Sequence, residues 1–382
     1  MTRDAEVGVL GLGAVGAATL RQLARRGVDV VGLERFWPVH DRGASTGESR
    51  VFRSVPYLER HEDDERLLAA APAAWEELEA ESGIEVLVRC GGLVIGRGGT
   101  PGVDRLVRLA GRREGVHVVD RAEAGERYPA HRLGSDDVVV ADDLGGLLRP
   151  EVAVAAQLRT AAAAGARVVT GVRASSWEQA GDDVLVHTAE RTYRFGRLVL
   201  APGPWAPDLL PGLPVRPRRL LLTWFLPTSA QAAARYRPSC FPGFVRADGE
   251  VFLYGGPTLD GALVKVAGDD DWGYPATADA LDRDVRTAEL SAIGEQVARR
   301  LRGLSELPVR TSVHADGWSA DGTAFLGRWP GSHRVVVATG FTGYGFKISP
   351  VVGRIAADLV TTGTTPFPIG HMDPARAAVP VG

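Results

Sequence analysis

The chain has 382 residues and a formal net charge of −3, with 45% hydrophobic and 24% charged residues. This composition is typical of a globular protein, and the length predicts two domains. The charge offers no basic surface for nucleic acid or for an anionic membrane. The longest apolar runs, such as residues 7–12, are too short to span a bilayer.

Two further features bear on the compartment. The only cysteines, Cys90 and Cys240, exclude a disulfide framework and a cysteine-based zinc cluster. A strand pattern begins within the first residues and leaves no room for a signal peptide. We therefore expect a cytoplasmic protein, a monomer or weak oligomer, with no bound metal and no nucleic-acid or membrane partner.

The first predicted elements form a dinucleotide-binding turn. A buried strand runs into a Gly-x-Gly-x-x-Gly sequence formed by Gly11, Gly13 and Gly16. In such a turn Gly11 makes the tight bend, Gly13 lets backbone amides approach a pyrophosphate, and Gly16 lets the next helix pack closely on the strand.

The elements after the turn strengthen this interpretation. Residues 17–26 have helical character, residues 28–33 form a second apolar strand, and Glu34 ends it. An acid at this distance accepts a hydrogen bond from a ribose hydroxyl, which argues against a cofactor with a 2′-phosphate.

A second segment favours FAD over NAD. A helix beginning at Pro150 and ending at Gly165 is followed by a strand over 166–169, and an apolar strand over 197–201 ends in a turn at Gly203. Flavoproteins with an interrupted nucleotide-binding domain often show this return of the chain, which a simple NAD dehydrogenase does not need.

The last third contains a long predicted helix. The spacing of Leu281, Val285, Leu290, Ile293, Val297 and Leu301 predicts a mainly helical segment over 277–304. The Pro- and Ala-rich tail after His371 is expected to be loosely held.

Several blocks of the chain resemble the amino-acid-oxidase superfamily of flavoenzymes, and most of all its sarcosine oxidase and N-methyltryptophan oxidase branch. The blocks cover residues 44–53, 91–96, 241–245, 254–257, 261–265, 321–327 and 335–347. The resemblance implies an α/β fold with a Rossmann-like FAD-binding domain (1–85, 145–215 and 316–382). It also implies an inserted substrate domain with a mixed or antiparallel sheet (86–144 and 216–315).

Only two of the 44 basic residues are lysines, and both fall on positions where this family has functional lysines. The resemblance implies that Lys265 activates O2 beside the flavin, because an ammonium stabilises developing negative charge. It also implies that Lys347 and Arg53 hold the substrate carboxylate, as a point charge and a guanidinium fork. A purely structural role for one of these lysines stays open.

The resemblance assigns further residues to the site. Tyr254 lines the substrate side of the pocket or serves only in packing, and Arg50 lies against the flavin or in an ion pair. Amides of the 343–346 turn and the dipole of the following helix stabilise negative charge on the flavin. The cofactor-binding residues are Gly11, Gly13, Gly16, Glu34, Arg35, Ser45, Arg50, Val172, Gly203, Gly343, Tyr344, Gly345, Phe346 and Lys347.

The chain departs from the branch at several pocket positions. Ser312 stands where the branch has the cysteine that links to flavin, so we expect non-covalent FAD. His314 replaces a tyrosine, and Thr46 and Asp269 replace histidines. His314 is either a histidine with satisfied hydrogen bonds or a residue that faces the substrate and exchanges a proton near neutral pH. The acidic run 269–271 is expected to be a solvated loop rather than a metal site.

These residues predict oxidation of a carboxylate-bearing amine to an imine, with O2 reduced to H2O2. The pocket changes favour a larger amino or imino acid of specialised metabolism over sarcosine. Two alternatives stay open, namely a dehydrogenase that uses another acceptor and a catalytically silent flavin-binding scaffold.

Overall fold

A computed structural model describes residues 2–56, 61–249, 251–259, 261–270 and 272–377. Its strands, in chain order, are β1 (Ala5–Leu10), β2 (Val30–Leu33), β3 (Arg50–Phe52), β4 (Leu87–Val88), β5 (Gly92–Arg97), β6 (Val116–Val119), β7 (Asp137–Asp142), β8 (Gly146–Leu148), β9 (Arg167–Val169), β10 (Ala174–Ala180), β11 (Asp183–Thr188), β12 (Thr192–Leu200), β13 (Val215–Phe225), β14 (Gly243–Ala247), β15 (Phe252–Gly256), β16 (Val264–Gly268), β17 (Arg310–Ser319), β18 (Phe325–Arg328) and β19 (Val335–Thr339). Its α-helices are α1 (Ala14–Arg25), α2 (Asp64–Ser82), α3 (Pro101–Leu109), α4 (Arg121–Arg127), α5 (Pro150–Ala163), α6 (Ala206–Leu209), α7 (Ala230–Ala234), α8 (Thr287–Arg300) and α9 (Gly345–Thr361).

The first sheet has a parallel centre. Its order is β10-β11-β12-β1-β2-β9, and β19 pairs with the end of β12 and with β18. β1 is parallel to both β2 and β12. Both β1 and β2 are almost wholly apolar and buried, as expected for strands covered on both faces. Side chains of α1, α2, α5 and α9 form the core on one face of the sheet.

The second sheet has the order β17-β13-β16-β15-β14-β5-β7-β6 and is mixed, because only the β5–β14 pair is parallel. β3, β8 and β4 form a small third sheet. The predicted combination of a nucleotide-binding sheet with a mixed sheet is therefore present. The domain boundaries stay a prediction, and β17 crosses the one expected at 315/316.

The predicted helix over 277–304 is wrong in its first ten residues. A 3-10 turn covers Ala278–Ala280, and α8 begins only at Thr287. Leu281 lies in the extended segment between them and packs in a cluster with Leu221, Val313 and Ala315. Its apolar spacing therefore reports burial against β13 and β17, not helical periodicity. Smaller corrections are that α1 begins three residues earlier than expected, and β2 two residues later.

The segment after His371 is held more firmly than the sequence predicted, as far as Ala377. Met372 is fully buried, and Arg376 donates to the Thr323 carbonyl at 2.7 Å. The His371 ring stacks on His61 at 4.0 Å, and its Nε2 lies 3.0 Å from Asp64 Oδ1. Residues 378–382 lie outside the described residues.

Three ligand-type side chains, His61, Asp63 and His371, bring metal-binding atoms within 4.8 Å of one another. The absence of a metal therefore stays a prediction. Cys90 and Cys240 are both free thiols. Among the described residues, no helix has the length and apolarity that crossing a membrane requires.

Candidate active site

A cavity of about 440 Å³ extends from the β1–α1 turn to the second sheet. It gathers almost all of the predicted site residues. Those that line it are Gly11, Gly13, Glu34, Arg35, Ser45, Arg50, Arg53, Val172, Gly203, Tyr254, His314, Gly343, Tyr344, Gly345, Phe346 and Lys347. Gly16 and Lys265 are not on the lining.

A side chain at each of the three glycines of this turn would meet a different neighbouring group. Gly11 has φ of +87°, and a Cβ there would lie 2.5 Å from the Ala201 carbonyl oxygen. A Cβ on Gly13 would lie 3.0 Å from Ser45 Oγ, on the cavity side. A Cβ on Gly16 would lie 1.7 Å from the Gly11 carbonyl oxygen. Gly16 therefore serves the packing of α1 on β1, which explains its absence from the lining.

Glu34 is fixed by three hydrogen-bonding groups. Its carboxylate accepts from the amides of Leu12 at 2.7 Å and Phe36 at 3.0 Å, and His40 Nε2 lies 3.4 Å away. Burial acts to raise the pKa of Glu34, but the hydrogen bonds from His40, Leu12 and Phe36 outweigh it and lower the pKa. The carboxylate is therefore ionised and keeps lone pairs for a ribose hydroxyl.

An ion-paired cluster joins both sides of this end of the cavity. Asp279 accepts from Arg35 Nη1 at 2.7 Å and from Trp205 Nε1 at 2.9 Å, and it lies 3.2 Å from Arg173 Nη2. Arg35, Arg173 and Trp205 line the cavity, whereas Asp279 belongs to the 3-10 turn before α8. We call these four residues the Asp279 clasp.

The predicted row of amides at 343–346 is only partly available to a ligand. The Tyr344 amide donates a hydrogen bond to the Phe341 carbonyl at 3.1 Å, and the Gly343 amide donates one to the Asp316 carboxylate. Gly345 and Phe346 remain in the first turn of α9, where N–H groups have no partner within the helix. The positive end of the α9 dipole thus faces the cavity through these two amides.

Arg53 and Lys347 line the same cavity and are almost completely buried, with 2% and 5% exposure. Lys347 lies in the first turn of α9, and its carbonyl accepts from Trp75 Nε1 at 2.8 Å. Arg53 Nη1 lies 3.4 Å from the Val55 carbonyl oxygen. Two buried cations on one cavity favour a ligand with negative charge.

Lys265 lies behind the lining, not on it. Its Nζ donates to the carbonyls of Gly47 and Ser49 at 2.7 and 2.6 Å. Burial, and then the charge of Arg50, hold the pKa of Lys265 well below its ordinary value. The lysine thus supports the turn that leads into Arg50, which itself lines the cavity and donates to the Ala44 carbonyl at 2.8 Å.

His314 and Ser312 share one face of β17. His314 Nδ1 lies 3.2 Å from the Gly43 carbonyl, which can only accept, so this nitrogen carries the proton. Nε2 then accepts from Ser312 Oγ at 2.7 Å. Burial, and next the charge of Arg50, lower the pKa of His314 to about 4. Both nitrogens are used and the ring is neutral at pH 7, which favours the satisfied histidine over proton exchange near neutral pH.

Tyr254 lines the cavity from β15 with its hydroxyl protonated, because burial raises its pKa to about 12. Asp269 also lines the cavity and pairs with Arg218 Nη1 at 2.8 Å, at an exposed loop position directly after β16. Asp271 lies outside the described residues.

Sequence reasoning missed two acids of the site. Asp316 lines the cavity, and burial raises its pKa. Glu151, at the start of α5, accepts from the amides of Gly47 and Glu48 at 2.6 and 3.0 Å. The proline before Glu151 marked the helix start, but no local pattern indicated what its carboxylate would hold.

Residues 6–359 match the DAO family, described as FAD dependent oxidoreductase. The chain belongs to this family. It is 37% identical to monomeric sarcosine oxidase of Streptomyces avermitilis, over 99% of each chain. It is 28% identical to N-methyl-L-tryptophan oxidase of Yersinia pestis (strain Pestoides F), over 98% of this chain and 99% of the relative.

Solved structures agree on the DAO fold. NikD, an unusual amino acid oxidase essential for nikkomycin biosynthesis, superposes with a TM-score of 0.84 at 23% identity over 98% of both chains. L-proline dehydrogenase from P. horikoshii has a TM-score of 0.83 at 19% identity, also over 98% of both. The predicted family, fold class and FAD-dependent enzyme class are confirmed. The glycine turn, the ionised Glu34 and the α9 N-terminus fit FAD.

Proposed function

We propose that the protein oxidises the C–N bond of a carboxylate-bearing secondary amine or amino or imino acid to an imine, with O2 reduced to H2O2. The observation that carries the proposal is the pair Arg53 and Lys347, both buried on the cavity that also contains the dinucleotide turn. The likeness to sarcosine and N-methyltryptophan oxidases supports the same reaction.

In this reaction the amine loses two electrons and two protons, and O2 gains both. FAD, when bound, supplies the redox chemistry by accepting the electron pair and passing it to O2. Arg53 and Lys347 bind the carboxylate and so orient the α C–H bond. The Tyr254 hydroxyl, which stays protonated, donates a hydrogen bond to the bound substrate. Lys265 supports the 46–50 turn, and its positive charge favours the step in which O2 gains electrons.

The proposal includes non-covalent FAD, because Ser312 offers a hydroxyl bonded to His314 where the branch has a thiol. The Asp279 clasp takes over part of the retention. We further propose that the enzyme acts in the cytoplasm, as a monomer or weak oligomer, on a larger amino or imino acid of specialised metabolism.

One observation favours a second candidate, a dehydrogenase that uses another electron acceptor. Lys265 lies behind the cavity lining and spends two of its N–H groups on carbonyls. Its influence on O2 would then be weaker than the resemblance implies.

Two measurements test the proposal. After acid precipitation, yellow colour in the supernatant supports non-covalent FAD, and colour in the pellet refutes it. In an anaerobic screen of N-methyl and cyclic amino acids, bleaching by a substrate with rapid recovery in air supports an oxidase. Bleaching with slow recovery favours the dehydrogenase. A flavin that no amine bleaches favours the silent scaffold.

A further inference from the structure

A second pocket, of about 400 Å³, lies on the substrate-sheet side of the molecule. Its charged lining residues are Arg121, Arg235 and Arg302, and His131 also lines it. It shares no lining residue with the active-site cavity. The pocket is therefore a separate feature that the proposed reaction does not use.

The three arginines come from separate parts of the chain. Arg121 begins α4, Arg235 caps the end of α7, and Arg302 follows α8. None of the ion pairs among the described residues includes any of them, whereas Arg127 on the same α4 helix pairs with Glu123 at 2.9 Å. Three like charges on one pocket, with no carboxylate among its described lining residues, repel one another, and a bound anion would offset that repulsion.

His131 shows that the pocket is built and not only a charged surface. The residue is 2% exposed, and neither ring nitrogen has a hydrogen-bond partner in the part of the chain that the structure describes. The ring is stacked on Phe241 at 4.9 Å and packs edge-on against Phe244 at 5.1 Å. A buried polar group without a partner is costly and uncommon in native proteins, so a ligand is a physical reason for this one.

The ring can act as a donor to that ligand. Burial, and then the charge of Arg246, lower the pKa of His131 to about 3. The neutral imidazole carries one N–H, which has no acceptor within the described residues. An anion in the pocket would accept from the guanidinium groups, and from this N–H after a small movement of the ring, because both ring nitrogens are closed off from solvent.

We propose that this pocket binds a phosphate group, either free phosphate or the phosphate of a small metabolite. A dianion with several tetrahedrally arranged oxygens can accept from three guanidinium groups and an imidazole at once. A monocarboxylate carries one negative charge where the phosphate dianion carries two, so it would offset less of the repulsion among the three guanidinium groups. Pro129 and Leu133 give the pocket an apolar side that suits the organic part of a phosphate monoester.

Equilibrium dialysis of radiolabelled phosphate against the FAD-loaded enzyme, at ionic strength fixed with KCl, tests the proposal. We expect one site for each chain. Arg302→Gln and Arg121→Gln should each weaken binding by about tenfold, as expected for loss of one charge-assisted hydrogen bond. Arg237→Gln is the matched control, since Arg237 is exposed and lies two residues from Arg235 but is not on the pocket lining.

His131→Leu separates a built site from surface charge. It removes the orphaned nitrogens but no net charge at pH 7, so phosphate binding should weaken while Tm without phosphate does not fall. Unchanged binding in both arginine variants, or equal weakening in Arg237→Gln, would overturn the proposal. So would displacement of phosphate by a short RNA at far lower concentration.

The source of the phosphate is decided by a second ligand. If glycerol phosphate binds at least about tenfold more tightly than inorganic phosphate, the pocket recognises a phosphorylated metabolite. If inorganic phosphate binds equally or more tightly, the ligand is the free ion.

Discussion

Lys265 and Glu151 form hydrogen bonds with the same turn, Lys265 with its carbonyl groups and Glu151 with its amide groups. Lys265 donates to the carbonyls of Gly47 and Ser49, and Glu151 accepts from the amides of Gly47 and Glu48. The turn is unusual backbone, with φ of +108° at Gly47 and +69° at Glu48. A buried lysine and a half-buried carboxylate thus stabilise the segment that leads into Arg50.

This relationship allows the two proposed roles of Lys265 to be separated. We expect Lys265→Met to slow reoxidation by O2 by about 100-fold, the usual effect of losing a preorganised charge, and to slow anaerobic reduction by less than about tenfold. Stopped-flow absorbance measures both rates. Glu151→Gln is the control, because it loosens the turn and keeps the Lys265 charge. If both half-reactions slow equally in Lys265→Met, the lysine only positions the turn.

The proposed carboxylate clamp, formed by Arg53 and Lys347, predicts a defect in substrate binding when either residue is replaced. Lys347→Met should raise KM and the Kd of a simple carboxylate such as benzoate by about 10- to 100-fold, as expected for loss of a charged hydrogen bond of about 1.5–3 kcal/mol. Arg53→Lys should act similarly, because an ammonium cannot replace the guanidinium fork. Arg354→Gln is the control on α9, since Arg354 is exposed. Unchanged benzoate affinity in Lys347→Met would exclude the clamp.

The burial of His314 predicts that the folded protein loses stability in acid. The pKa of His314 is lowered to about 4, below the ordinary value of 6.5, so its neutral form is favoured by folding. Its contribution is complete above pH 6.5 and is lost as the pH falls from 6.5 toward 4. By pH 5 the loss is about 2 kcal/mol. Urea unfolding at pH 7.5 and 5.0 should show a smaller difference in His314→Gln than in the wild type.

The control for this prediction is His333→Gln, at an exposed position, which should leave the acid sensitivity unchanged. The pH–rate profile of His314→Gln between pH 6 and 8 should also match the wild type. A lost inflection near pH 7 would instead restore the hypothesis that His314 exchanges a proton during turnover.

The Asp279 clasp predicts weaker cofactor retention without a change in chemistry. Asp279→Asn removes the charge that Arg35 and Arg173 share, and the Kd for FAD should rise by about 2- to 5-fold, within the range of partly exposed ion pairs. The rate of anaerobic reduction at saturating FAD should not change. Asp282→Asn is the control, because Asp282 pairs with Arg286 outside the cavity. Unchanged FAD affinity would show that the clasp does not retain the cofactor.

The features of the fold that could be predicted from the sequence are those that leave a local pattern. The glycine turn could be predicted from its spacing, and Gly16 meets the Gly11 carbonyl only five residues before it, whereas the contacts at Gly11 with Ala201 and at Gly13 with Ser45 are long-range. The start of α8 could not, since Leu281 is buried by strands that lie 60 residues before it in the chain and 32 after it. The hydrogen bond from Lys265 to the Gly47 carbonyl, 218 residues away in the chain, likewise follows from no local pattern.

The strand β17 connects the substrate sheet with the segment before α9. It pairs with β13 along ten residues of each strand, and at its far end the Gly317 carbonyl accepts from the Thr342 amide beside the α9 turn. One continuous strand therefore connects the substrate sheet to the cofactor side of the cavity. We expect amino acids to reach Arg53 and Lys347 by small movements of loops and side chains, rather than by two halves of the protein swinging apart.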